Sequence, residues 1–177
     1  MSRRLARFLL VPAALALCIG ASPASARVRN QASAMGTLQS GVLADINATR
    51  RQHGLGVLRL SVSLSAAARQ HSVEMATHGY FSHNSANGLS FDRRIAKYYP
   101  LAGTRYWSVG ENLLWYSPDV NASTALAMWM NSPDHRANIL SPRWRQIGIS
   151  AVHVDSAPGV FGNGPVTVIT TDFGVRR

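Results

Sequence analysis

The chain has 177 residues, 18 Lys+Arg against 8 Asp+Glu for a formal net charge of +10, and a single cysteine. That length suffices for one compact core, while a lone cysteine excludes an intramolecular disulfide and a zinc site built from several thiolates. The cationic balance suits an anionic neighbour such as a wall polymer or a phospholipid surface, but the arginines are scattered and carry no basic-aromatic motif, so nucleic acid is not an expected partner.

The first element is a leader. Arg3, Arg4 and Arg7 form a basic start, Phe8 to Ile19 is apolar, and Ala24-Ser25-Ala26 is an A-x-A site. This pattern predicts a secretory signal peptide over 1–26, cut after Ala26. The apolar run is shorter than the ~20 residues of a membrane span. Cys18 leaves with the leader, and Leu17 stands where a lipoprotein signal needs a small residue. A secreted location follows, extracellular or periplasmic, with no later membrane span.

Residues 27–36 are small and polar and predict a linker, with the folded domain over 37–177. From Thr37, Leu38, Val42, Ile46, Thr49 and His53 recur every three or four residues, as on an amphipathic helix, and Gly54 and Gly56 end it. A second helix is expected from near Ser63, with Leu64, Ala67, Ala68, His71, Met75 and His78 as its stripe and Gly79 as its C-terminal stop. His71, Glu74 and His78 share a face. A metal site there is weighed against an ordinary i,i+4 pair with His71 tucked into the core, and the second is favoured.

After Tyr80-Phe81-Ser82-His83 comes a polar loop. Ser90 is expected to cap a third helix carrying Phe91, Ile95 and Tyr98 and closed by Pro100. Trp107 to Leu114 reads as a strand containing Gly110-Glu111-Asn112. Asn121 caps a fourth helix using Ala125, Met128 and Trp129. The backbone then turns at Asn131-Ser132, where Ser132 suits the N-cap and Pro133 the first position of a short helix. Asp134 falls in its first turn, where the helix dipole favours a carboxylate, and His135 follows. Ile147–Val154 and Val166–Phe173 are β-rich and separated by a Gly/Pro loop, as in an antiparallel pair. Helices first and strands later, without βαβ alternation, favour an α+β fold.

The common catalytic signatures are missing: no nucleophile elbow, P-loop, H-E-x-x-H or dinucleotide fingerprint occurs. His83, Glu111 and His135 remain, each beside a turn or short element. Two imidazoles and a carboxylate can hold zinc with one open position, or make a proton-transfer pair with an orienting carboxylate. Singly, His83 could cap a loop, Glu111 could pair with an arginine, and His135 could bond within its own helical turn.

Four stretches bear on that choice: His71-Ser-Val-Glu-Met75 leading to Phe81-Ser82-His83, Gly110-Glu111-Asn112-Leu113, Trp129 to Leu140, and Thr171-Asp-Phe-Gly174. In this order they resemble the CAP superfamily (cysteine-rich secretory, antigen 5 and pathogenesis-related proteins), in its bacterial SCP-like branch. The resemblance implies an α-β-α sandwich with a short antiparallel sheet between helical layers and a cleft holding two histidines and two acids. His83 and His135 match the histidines and Glu111 the acid of the Gly-Glu-Asn motif. Ser132 occupies the position of the second acid in eukaryotic members, with Asp134 close by in sequence. Three ligands for a divalent metal such as zinc would then be His83, Glu111 and His135, with Glu111 also the candidate base and Ser132, Asp134 and Asn112 supporting the cleft. The implied role is that of a monomeric, secreted binding or envelope-associated module for a lipid, another small apolar ligand or an envelope polymer. The alternative is a metal-dependent hydrolase. Tyr80, Phe81, Trp107, Trp115, Tyr116 and Trp129 could line an apolar groove, with Phe81 and Trp129 expected in the core instead.

Overall fold

A computed structural model describes residues 23–177, with side chains from Gln31 onward. Residues 1–22, which make up most of the expected signal peptide, lie outside the described residues. Nine principal elements follow: α1 (Pro23–Gln52), β1 (Arg59–Leu60), α2 (Val62–His78), α3 (Phe91–Ala96), β2 (Trp107–Tyr116), α4 (Ala122–Asn131), α5 (Pro133–Ile139), β3 (Gln146–Ala157) and β4 (Gly164–Arg176).

The strands form one sheet in the order β1-β3-β4-β2. β1 runs parallel to β3, and both β3 and β2 run antiparallel to the central β4. Side-chain alternation gives the sheet two apolar faces. Ile147, Ile149 and Ala151 of β3 and Ile169, Phe173 and Val175 of β4 pack with Leu38, Val42 and Ile46 of α1 and Trp129 of α4. On the opposite face Met75 and Ala76 of α2 meet Val166 and Val168, while Leu64 and Ala67 meet Ile95 and Tyr99. The mixed α+β architecture, a four-stranded sheet flanked by helices, is the one expected.

Two glycines set the spacing of the layers. A Cβ on Gly148 of β3 would lie 2.0 Å from the Leu64 carbonyl carbon, so α2 rests directly on the strand there. A Cβ on Gly41 would lie 2.9 Å from that of Ala122, which lets α1 cross the start of α4 closely. Gly79 ends α2 in the left-handed conformation, φ 70°, with its N–H on the Met75 carbonyl.

Three local expectations change. Residues 27–36 continue α1 instead of forming an irregular linker. Pro23 suits a helix start, the stretch holds no further proline, and Met35 gains packing on the core beneath it. The second helix starts at Val62, one residue before Ser63, and Ser61 caps it by accepting from the Leu64 N–H at 3.4 Å. Ser132 and Ser90 do hold the N-cap positions of α5 and α3, but neither hydroxyl makes a capping hydrogen bond.

β2 is an edge strand, and its backbone phase matters for the site. Tyr106 and Arg177 exchange both N–H···O bonds (2.9 and 3.1 Å) just before the ladder begins. By the period of two, the even-numbered residues of β2 bond β4 and the odd-numbered ones point their backbone groups outward. Outward carbonyls are covered from the helical side: Asn138 Nδ2 donates to Glu111 O at 3.1 Å, and Trp129 Nε1 to Leu113 O at 3.0 Å. A side chain on each of α5 and α4 thus protects part of an edge that would otherwise be open to another strand.

Candidate functional site: a half-exposed histidine on a buried ion pair

Glu111 lies in the middle of β2 on the α2/α3 face and is buried. Arg94 of α3 is also buried, and one of its terminal nitrogens bonds Glu111 Oε2. A buried charge needs a partner, and this pair supplies one to each member. The other arginine terminus, Nη1, donates to the His83 carbonyl at 2.8 Å, so the same guanidinium pins the loop that carries the histidine. Glu111 Oε1 then meets His83 Nδ1 at 2.8 Å. The His83 side chain remains 50 % exposed. With Nδ1 committed to a carboxylate, Nε2 is the ring atom left for the cleft.

Asp172 stands directly opposite Glu111 in the β2–β4 register. It is wholly buried, and neither oxygen has a hydrogen-bond partner. Burial first, and the Glu111 charge second, push its pKa well above the ordinary aspartate range, against an opposing pull from Arg94. An ionised Asp172 would be a buried charge beside another carboxylate, which favours its protonated form. Sequence reading missed both Arg94 and Asp172. Their signal was weak: an arginine on a short helix, and an acid inside a β-rich run that should be apolar.

His135 sits half-buried at the start of α5. Burial first and His83 second hold its imidazole below its ordinary pKa, with Asp134 pulling the other way. The Asn112 side chain ties this region together: its Nδ2 donates to the His135 carbonyl at 3.0 Å, and its Oδ1 accepts from Asn138 at 2.9 Å. Asn112 thus supports the cleft by fastening α5 to β2. Among the described residues no hydrogen bond links Ser132 or Asp134 to His83 or Glu111.

The metal expectation can be tested against these donors. Both oxygens of Glu111 are engaged, one by an arginine that would have to leave before a cation could approach. Among the described residues no group of three or more His, Cys, Asp or Glu is arranged to hold a metal ion. The trio does not fit a three-ligand zinc centre. Glu111 Oε1 faces His83 Nδ1 and Oε2 faces Arg94, so both oxygens already have protein partners. The second histidine set also takes its simpler reading. His71 is buried with Nε2 on the Ser82 carbonyl at 2.8 Å, and His78 Nδ1 lies 3.0 Å from the Glu74 carbonyl.

A cleft of about 550 Å³ opens over this arrangement. One wall carries His83, Asn84 and Phe91, the other Asn138, Ser141 and Arg143, and the β2 backbone at Val109–Glu111 lies between them. The aromatic groove is not found as expected. Trp129 is core, Phe81 is 38 % exposed, and Trp115 packs edge-on against Phe161 away from the cleft.

Comparison with known proteins decides the family. The family model described as CAP, the cysteine-rich secretory protein family, matches residues 43–166. The chain belongs to this family. An uncharacterised Bacillus subtilis protein, YkwD, is 32% identical over 140 residues, which cover 76% of this chain and 52% of YkwD. The chain thus spans about half the length of that relative. Among solved structures, an extracellular SCP-domain protein of Bacillus anthracis aligns with a TM-score of 0.64 at 22% identity, over 89% of this chain and 45% of the other. A Borrelia burgdorferi outer surface protein aligns with a TM-score of 0.61 at 18% identity, over 77% and 90% respectively. These likenesses establish a bacterial CAP/SCP fold, and the named relatives with a stated location are extracellular or at the cell surface. No helix among the described residues is long and apolar enough to cross a membrane.

Proposed function

We propose that this CAP domain is an exported, envelope-associated binding module whose ligand enters the cleft over β2 and meets His83. One observation carries the reading: a buried Arg94–Glu111 pair is used to orient an imidazole that is half in solvent. Such a pair contributes little net stability compared with apolar packing, so holding an exposed ring in one tautomer is what the arrangement achieves. The walls of the cleft are mixed polar and aromatic, which suits a ligand with hydrogen-bonding groups better than a bare acyl chain. An apolar chain would fit better in a separate groove of about 560 Å³ lined by Leu43 and Ala44 of α1 with Leu60 and Ile149. The positive net charge favours an anionic envelope polymer as the surrounding surface.

Native mass spectrometry of the exported protein tests this directly. The expected result is a chain beginning at Arg27 that retains a noncovalent ligand, with the ligand lost in His83→Ala. A ligand kept equally by His83→Ala, or an intracellular uncleaved chain, would overturn the reading. The hydrolase alternative draws on the same His83 Nε2 as a proton acceptor, and would show instead as a cleaved product mass that disappears in His83→Ala.

A further inference from the structure

The covered part of the β2 edge stops at Glu111. Asn138 takes the Glu111 carbonyl, and Trp129 takes that of Leu113. Val109, by the same backbone phase, also turns its N–H and C=O away from β4, and among the described residues no loop or side chain bonds either of them. Its side chain packs inward against the Leu64–Tyr99 cluster. Val109 and Gly110 form the floor of the cleft, and the two walls belong to opposite helical layers of the sandwich. The open slot therefore lies in the plane of the sheet, where a fifth strand would lie.

Charge supplies the second argument. The carboxylate in the cleft is Glu111, and Arg94 already neutralises it. Arg143 on the facing wall leans over the Trp144 ring at 5.2 Å and has no ion-pair partner among the described residues. A ligand with backbone-like hydrogen-bonding groups and a carboxylate is what such a slot would accept.

We infer that the cleft binds an extended peptide segment ending in a free C-terminal carboxylate, by strand addition to β2 at Val109, with Arg143 pairing the acid. This rests on the reading of the cleft as a ligand site and names the ligand class for it. Main-chain bonds to Val109 supply register without sequence preference, and Arg143 supplies the preference for acid.

The test uses the full exported chain, ¹⁵N-labelled, with pools of N-acetylated hexapeptides randomised at every position. One pool has free C-terminal carboxylates, a second is C-terminally amidated, and a third is free-acid but N-methylated throughout. The expected result is a shift of the Val109 amide resonance with the free-acid pool, at least tenfold weaker binding of the amidated pool, and loss of the shift with the N-methylated pool. Arg143→Gln, an exposed change, should reduce the free-acid affinity to that of the amide. A Val109 resonance unmoved by every pool, or moved equally by the N-methylated one, would overturn the inference. So would dimerisation of the chain through β2. A non-peptide ligand retained in native mass spectrometry alongside that negative result would leave the binding reading standing and remove only the peptide.

Discussion

Two buried arginines on opposite faces of the sheet show how differently one side chain is used. Arg94 is compensated by a full anion, Glu111, and the pair ends at a half-exposed histidine. Arg50, near the C-terminus of α1, meets no carboxylate among the described residues. Its Nε donates to Gly56 O at 2.9 Å, and Nη1 to Ile139 O and Ser141 O at 2.6 and 2.9 Å. Those last carbonyls belong to the end of α5 and the turn after it, where the helix dipole favours a cation. Burial, and then Arg145, lower the Arg50 pKa, but a guanidinium keeps its proton throughout. The Arg50 cluster is a staple that fixes α5, and with it the far wall of the cleft. The Arg94 cluster lies against Asp172, whose pKa is raised by burial, and ends at a half-exposed ring. A buried charge held by backbone dipoles is therefore structural here, whereas one held by a side-chain acid belongs to the site.

The largest effects should come from breaking either cluster. Arg94→Met alone strands Glu111 and should cost about 3–5 kcal/mol. Arg50→Met strips charged hydrogen bonds from three carbonyls and should cost about 3 kcal/mol or more. The difference between the clusters lies in rescue. Adding Glu111→Leu to Arg94→Met should recover about 1–3 kcal/mol relative to additivity in urea unfolding. Among the described residues Arg50 has no acid partner whose removal could rescue Arg50→Met. Strict additivity of the Arg94 and Glu111 changes would show that the two are not energetically paired.

The next effect is pH dependence, which only the Arg94 side should carry. Asp172 has a folded pKa raised above its unfolded value near ~3.9. Its contribution is therefore fully present below about pH 4 and is lost as pH rises through the raised folded value. Within that window the loss runs at up to about 1.4 kcal/mol per pH unit. Asp172→Asn removes the titration, so its stability advantage over the natural chain should grow from pH 4 toward neutrality in a series of urea melts. Arg50→Met should keep the natural pH slope. Equal slopes for Asp172→Asn and the natural chain would mean that Asp172 does not hold its proton.

Much of this frame was readable before any coordinates. The alternation in Val166–Phe173 and the 3.6-residue stripe of Leu38, Val42 and Ile46 report one-sided burial, which is a local property of a strand or helix. The pairing of His83 with Glu111 was reachable only through the family resemblance, because the two lie 28 positions apart with α3 and two loops between them. Arg94 was legible only as an arginine on a short helix, and Asp172 only as part of the Thr171-Asp-Phe-Gly174 stretch, neither with a role. Their roles arise from the register of β2 on β4 and from the docking of α3, neither of which leaves a periodic trace. The linker reading of 27–36 failed for a related reason: a polar surface looks alike on a helix and on a loop when the sequence lacks a strong breaker.

The smallest expected stability effect falls on the residue of greatest functional interest. His83→Ala deletes the Nδ1 bond to Glu111 Oε1, but the cleft is open on that side and water can take the vacated position. Arg94 would still hold Oε2 and the residue-83 carbonyl, so the loop keeps its anchor. The change in unfolding free energy should stay below about 1 kcal/mol, while ligand retention is lost. A loss above about 2 kcal/mol would assign His83 to the structural side of the comparison, beside Arg50. The Arg94–Glu111 pair would then be a staple in its own right, with its histidine serving to close the loop and not to meet a ligand.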